Sequence, residues 1–145
     1  MKHYTSENYS ITHSVGYLLT KARNVIFAEM DTALKDLDIT SSQMGILFAM
    51  QRGVASTPFE LSKLLSIDTG LMTRMLDKLE TKGLLERSRS VDDRRVVNLV
   101  LTKKGVQIAE EIPHVAPEVL NARLKKFTKA EFEELCTLLN KFIGE

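Results

Sequence analysis

Apolar residues recur every three or four positions along most of the chain, and only one stretch near the middle changes to strand-like runs. The first run carries Ile11, Val15, Leu18, Ala22, Val25 and Ile26. That is one stripe of a helix, and it continues more loosely through Met30, Ala33 and Leu34 to Leu37. Thr40-Ser41-Ser42-Gln43 then has the form of a capping box, in which hydroxyl and amide side chains satisfy each other's backbone N–H groups. It predicts a helix with Met44, Leu47, Phe48 and Met50 on its apolar side, stopped by Gly53. Thr57-Pro58-Phe59-Glu60 is a second box with proline at the first helical position. The short helix it opens carries Leu61, Leu64 and Leu65. Asp68 caps a fourth helix, 69–82, with Met72, Met75, Leu76 and Leu79 on one face and Gly83 after its end.

The period then changes. Residues 85–89 and 96–101 are rich in β-branched and apolar residues and predict two strands joined by the charged turn Ser90-Val91-Asp92-Asp93-Arg94. Thr102 caps the next helix, with Gly105 in its first turn. Val106, Ala109, Ile112, Ala116, Val119, Leu120 and Phe127 keep helical spacing there. Pro113 and Pro117 predict a kink or break, because proline removes a helical N–H and clashes with the preceding turn. Thr128-Lys129-Ala130-Glu131 opens a last helix with Phe132, Leu135, Cys136, Leu139, Phe142 and Ile143 on one face. Two short helices followed by a two-stranded hairpin make a winged helix-turn-helix, with 69–82 as recognition helix. The expected fold is mainly α with a small β-hairpin wing. The last stripe has no evident partner within one winged domain, which points to a dimer.

Composition changes this picture little; the placement of charge changes it more. The 145 residues suit about one domain, and the net charge of +1 does not by itself suggest nucleic acid. Residues 69–104, however, hold nine Lys or Arg and five Asp or Glu, a surplus of +4, which leaves −3 on the remainder. A basic patch within a near-neutral chain is what phosphate neutralisation needs. The single cysteine, Cys136, excludes a disulfide framework and a thiolate metal cluster, and suits a reducing cytoplasm. On an apolar stripe it reads as a small buried hydrophobe. Neither a signal peptide nor a membrane span is expected from the N-terminus. His3, His13 and His114 have no metal-site spacing, and no phosphate loop, carboxylate pair or nucleophile triad can be named. The chain is therefore expected to be no enzyme and to carry no metal or cofactor.

With its apolar face turned to the core, the recognition helix presents Thr69, Gly70, Thr73, Arg74, Asp77 and Lys78 outward. Leu71 has two readings: contact with a thymine methyl, or core. The turn Asp92-Asp93-Arg94-Arg95 is the most specific feature. A guanidinium at a hairpin tip can enter a narrow minor groove, and an acid two residues away can hold it extended by a charge-assisted hydrogen bond. The plainer reading is a local surface ion pair, worth little. Thr57, Arg87, Arg89 and Arg94 complete the candidate DNA contacts. His13, Tyr17 and Lys21, spaced i, i+4 and i+8, form a polar row along the first helix, either solvent-facing or lining a ligand site.

Residues 67–102 resemble the multiple antibiotic resistance regulator (MarR) family of bacterial transcription factors. The resemblance rests on Thr73-Arg74, Leu79-Glu80, Gly83-Leu84, Arg87, Asp93-Arg94-Arg95 and Leu101-Thr102 with Gly105, and also on Ile39-Thr40 and Leu61. Gly70-Leu71 departs from the small polar residues usual at the start of that family's recognition helix. The resemblance implies an obligate homodimer, with helices of 1–37 and 103–145 intertwined and a DNA-binding unit over 38–102. It implies a regulator, usually a repressor, that leaves its pseudo-palindromic operator on binding a small aromatic or phenolic ligand. By the same resemblance Arg95 is the minor-groove arginine, Asp93 is its partner, and Thr73 and Arg74 face the major groove. The ligand crevice falls near the first helix, where His13, Tyr17 and Lys21, with Met44 and Phe48, are the candidate lining. The alternative is a helical dimer without DNA binding that serves as a protein-interaction module.

Overall fold

A computed structural model describes residues 1–145. Six α-helices and one hairpin follow in the order α1 (Val15–Ala33), α2 (Ser41–Gln51), α3 (Pro58–Leu65), α4 (Thr69–Thr81), β1 (Leu85–Arg89), β2 (Val97–Leu101), α5 (Lys103–Leu124) and α6 (Lys129–Ile143). Every helix start from α2 onward coincides with a cap visible in the sequence. The Thr40, Thr57 and Thr128 boxes close on Gln43, Glu60 and Glu131, and Asp68 and Thr102 accept from the backbone of Leu71 and Gly105. Such caps supply acceptors for N–H groups that the helix itself leaves unpaired.

The first helix begins later than its stripe suggests. Ile11–His13 form a separate 3₁₀ turn, and Ser14 caps α1 by accepting from Tyr17 N–H. A second 3₁₀ turn, Lys35–Leu37, separates α1 from α2. Pro113 and Pro117 do not break α5, which runs unbroken through both. The two rings stand four residues apart on the solvent side. There the carbonyls deprived of a donor can be hydrated, on the side that is already convex in a surface helix. Strand β2 starts one residue later than expected, at Val97, and pairs antiparallel with β1 in the register Leu85 with Leu101 and Arg89 with Val97. The hairpin gains one further bond where Leu99 N–H donates to the Ser56 carbonyl, 2.9 Å away.

Every buried hydrophobic residue lies between Met30 and Ile112. The core is built on Leu34, Ile46, Leu47, Leu61, Met72, Leu76, Leu79 and Leu85. Helix α2 is apolar nearly all round, so its period does not single out a face: Ile46 and Ala49 are buried with Leu47, while Met44, Phe48 and Met50 are only half covered. Helix α5 enters this core through a close approach. Gly105 is buried, and a Cβ there would sit 2.9 Å from the Leu84 carbonyl carbon and closer still to its oxygen. Thr102 tightens the same joint, its N–H donating to Leu84 O at 3.1 Å and its hydroxyl to Gly83 O at 2.6 Å.

Outside that core the chain leaves apolar surface uncovered. Ile11, Val15 and Leu18 at one end, and Phe132, Leu135, Leu138, Phe142 and Ile143 on α6, are exposed in the single chain. Helix α6 has no buried residue, and Cys136, expected to be a buried hydrophobe, is exposed. The physical reason is that α6 packs on nothing within its own chain that could cover its stripe. No helix is long and apolar enough to cross a membrane.

Candidate nucleic-acid interface

The recognition helix α4 buries Met72, Met75, Leu76 and Leu79 and presents the other side to solvent. Thr69, Gly70, Leu71, Thr73, Arg74 and Lys78 are all exposed. Leu71 is 43% exposed at the first turn. It is therefore surface rather than core. Asp68 accepts from Leu71 N–H at 3.0 Å. The Thr73 hydroxyl donates back to Thr69 O at 3.0 Å, which leaves its oxygen free only as an acceptor. Arg74 lies back along the helix, its Nη1 3.8 Å from where a Cβ of Gly70 would stand. Side chains of helices lean toward the N-terminus in this way. Lys78 borders a polar recess shared with Thr40, Gln43, Asp77, Thr81 and Lys82. Thr57, half-buried, is occupied in its capping box: its hydroxyl accepts from Glu60 N–H.

At the hairpin tip, Asp93 and Arg95 form a closed fork. Arg95 donates from its backbone N–H and its Nε to Asp93 Oδ1, at 3.0 and 3.1 Å, and from Nη2 to Oδ2 at 3.2 Å. The Arg95 side chain is nevertheless 91% exposed. The guanidinium hydrogen bonds, followed by the Arg95 backbone N–H, hold the Asp93 carboxyl below its usual range, so it stays ionised and remains an acceptor. The turn is fixed from inside as well. Ser90 N–H donates to Val96 O and Val96 N–H to Asp93 O, both at 2.9 Å. Arg89 Nη1 donates to the Arg94 carbonyl at 3.4 Å.

The basic surplus of this segment divides into two groups. Arg74, Lys78, Arg89, Arg94, Arg95 and Lys103 are exposed. Lys82 is tied to Asp38 by its ammonium, and Lys104 donates to the Lys82 carbonyl. Arg87, expected among the DNA contacts, is turned inward onto α4, where it pairs with Asp77 at 2.6 Å. Strand alternation carried the signal for this: Arg87 stands two residues from Leu85 and so shares its core-side face. Asp77 and Glu80, which receive Arg87, were not marked by the sequence as partners of anything.

The residues expected around a ligand are only partly brought together. Tyr17 and Lys21 line one shallow groove with Thr20, Asn24, Val25 and Ala28, and the Lys21 ammonium lies 5.7 Å from the centre of the Tyr17 ring. His13 is outside it, on the 3₁₀ turn, its Nδ1 within hydrogen-bond distance of Ser10 and Thr12. The row of three is broken because Ser14 starts a new helix. Met44 and Phe48 stand on α2, half covered and packed against the core.

Comparison with known proteins agrees with this geometry. The MarR family model matches residues 39–97. The multiple antibiotic resistance protein MarR of Escherichia coli K12 is 39% identical over 111 residues, covering 76% of this chain and 77% of that protein. Among solved structures, a mutant E. coli MarR complexed with operator DNA superposes with a TM-score of 0.82 at 32% identity, covering 93% of this chain and 99% of that one. A Staphylococcus aureus MepR–DNA complex gives 0.80 at 25% identity, covering 90% and 97%. With a hairpin wing beside a helix-turn-helix, and a relative this similar along three quarters of its length, the chain belongs to the MarR family of transcriptional regulators.

Proposed function

We propose that this chain is a homodimeric transcriptional regulator of the cytoplasm, a repressor, that binds a pseudo-palindromic operator and is released by a small aromatic or phenolic ligand. The observation that carries the reading is the Asp93–Arg95 fork: a guanidinium held extended and almost fully exposed at the tip of the wing. A narrow minor groove is where such a group gains most. The exposed start of α4, Thr69 to Arg74, is the major-groove surface, with Leu71 available for a thymine methyl. Lys78, Arg89 and Arg94 supply phosphate contacts, which position a protein without reading sequence. The E. coli MarR and S. aureus MepR complexes, solved on DNA, support the same use of this fold.

The helices of 1–37 and 103–145 form the dimerisation region in this reading, and 38–102 the DNA-binding unit. Support comes from the apolar residues of α6 and of the N-terminal segment, uncovered in one chain, whose burial at about 25 cal/mol per Å² favours association. The groove at Tyr17 and Lys21 is the place for the ligand, since an ammonium beside an aromatic ring suits a carboxylate or phenolate on a flat molecule. No catalytic step belongs to this function. A protein-interaction module without DNA binding would leave the fork and the free cations with nothing to meet.

The test is selection of duplexes from a random pool by the intact protein, followed by footprinting. The expected result is an inverted repeat with half-site centres about 10 bp apart and protection on one face of the duplex. A protein that enriches no sequence, or protects an asymmetric site, overturns the reading.

A further inference from the structure

A two-stranded ribbon is marginal on its own, yet the proposed contacts need the wing tip and the recognition helix to reach two grooves at once. Something must brace one against the other. Leu85, Arg87 and Arg89 share one face of β1. Leu85 anchors it in the core. One step outward, Arg87 reaches across to α4. Its Nη2 donates to Asp77 Oδ1 at 2.6 Å and to the Thr73 carbonyl at 3.4 Å, and its Nε lies 3.6 Å from Glu80 Oε2. These are the only side-chain hydrogen bonds and ion pairs that join α4 to the hairpin. The side chain is 27% exposed, and Nε is buried with no hydrogen-bond partner. A further step outward, Arg89 donates to the Arg94 carbonyl, next to Arg95.

We infer that Arg87 is a positioning residue: a strut between Asp77, Glu80 and the Thr73 carbonyl on the recognition helix and the middle of β1, which sets the distance between the two DNA-reading elements. The inference rests on the DNA-binding reading above and deepens it. Arginine is required because a planar fork can meet acceptors on successive turns of α4 together, whereas a lysine offers one point charge. Arg87 thus contributes to affinity through geometry, not through contact with phosphate.

Three variants separate geometry from charge. Arg87→Lys keeps the charge and loses the fork. Asp77→Asn removes a negative charge from the DNA-facing helix and, with Asp77 largely exposed, leaves the fold intact. Arg95→Ala removes the wing contact. Binding to the duplex selected by the wild-type protein is expected to weaken about tenfold for Arg87→Lys and for Asp77→Asn, the scale of coupling within one network. Arg95→Ala should do less harm in either background than alone, because an unbraced wing has already lost its contact. Amide exchange without DNA should quicken at Ser90 and Val96 in both variants, with α4 protection and the melting temperature near wild type. Wild-type affinity in Arg87→Lys, tighter binding in Asp77→Asn, additive losses with Arg95→Ala, or unchanged wing exchange each overturns the strut. A wild-type protein that retains no duplex overturns the DNA-binding reading itself, and the exchange experiment still judges the brace.

Discussion

The winged region and the terminal helices spend the same kinds of residue differently. Between Met30 and Ile112 the leucines, isoleucines and methionines of each stripe meet one another and disappear from the surface. On α6 an equally regular stripe, Phe132, Leu135, Leu139 and Phe142, stays largely open to solvent. Periodicity is thus evidence for a helix and for a buried face, but not for which chain does the burying. One region has completed its core; the other has the form of half a core, and large exposed apolar patches of this kind mark association surfaces.

Breaking the completed region should have the largest effect. Gly105→Ala drives a methyl into the Leu84 backbone, which cannot swing aside as a side chain could. Loss of about 3 kcal/mol or more is expected, read as a lowered denaturant midpoint. A variant as stable as wild type would mean that α5 can lift from Leu84. Breaking the unfinished region should act on association instead. Phe132→Asp with Phe142→Asp places charge on the open stripe, and the dimer dissociation constant should rise at least about a hundredfold, roughly 2.7 kcal/mol. Sedimentation at several concentrations checks this, with helix content retained by circular dichroism. If a wild-type chain sediments as a monomer at micromolar concentration, the contrast between the regions loses its meaning.

Smaller effects sharpen the contrast within the wing. Asp93→Ala removes a negative charge near DNA, so charge counting predicts tighter binding. Loss of the fork at Arg95 predicts binding weakened about threefold to tenfold. Titration at fixed salt decides by sign alone. The smallest effect concerns acid. Hydrogen bonds from the backbone of Ser56 and then Thr57 hold Glu60 below its ordinary value of 4.5. A depressed carboxyl stabilises the fold above that value, and the contribution fades as pH falls through the folded one. Glu60→Gln keeps an acceptor for the cap, so its melting temperature should fall less than wild type between about pH 6 and about pH 3.5. Glu29, Asp93 and Glu131, depressed for like reasons, should preserve most of the remaining slope.

Much of the fold was legible because its signals are local. Caps at Thr40, Thr57, Asp68, Thr102 and Thr128 set helix starts with hydrogen bonds spanning three residues. The same holds at the wing tip, where Asp93 and Arg95 stand two apart and meet as their spacing suggests. What lay beyond reach depends on distant partners. Arg87 looked like a free cation until α4, 10 and 14 residues away, supplied its acceptors. Pro113 and Pro117 predict a kink or break, and the helix continues through both; nothing in the sequence says that both rings face water. His13 looked like a member of the α1 row because the cap at Ser14 competes with an apolar spacing that runs straight through it.

The Gly105 joint has a mechanical consequence. Because the start of α5 is seated directly on the residue that follows the turn after α4, the two helices cannot pivot independently there. Helix α5 has 22 residues and continues to Leu124, a contour of about 33 Å. A tilt of about 5° imposed at its far end carries the near end through about 3 Å. That is close to the 3.4 Å rise of one base pair. A small rotation of α5 is thus carried through the Leu84 joint toward the recognition helix as a shift on the scale of one base-pair step.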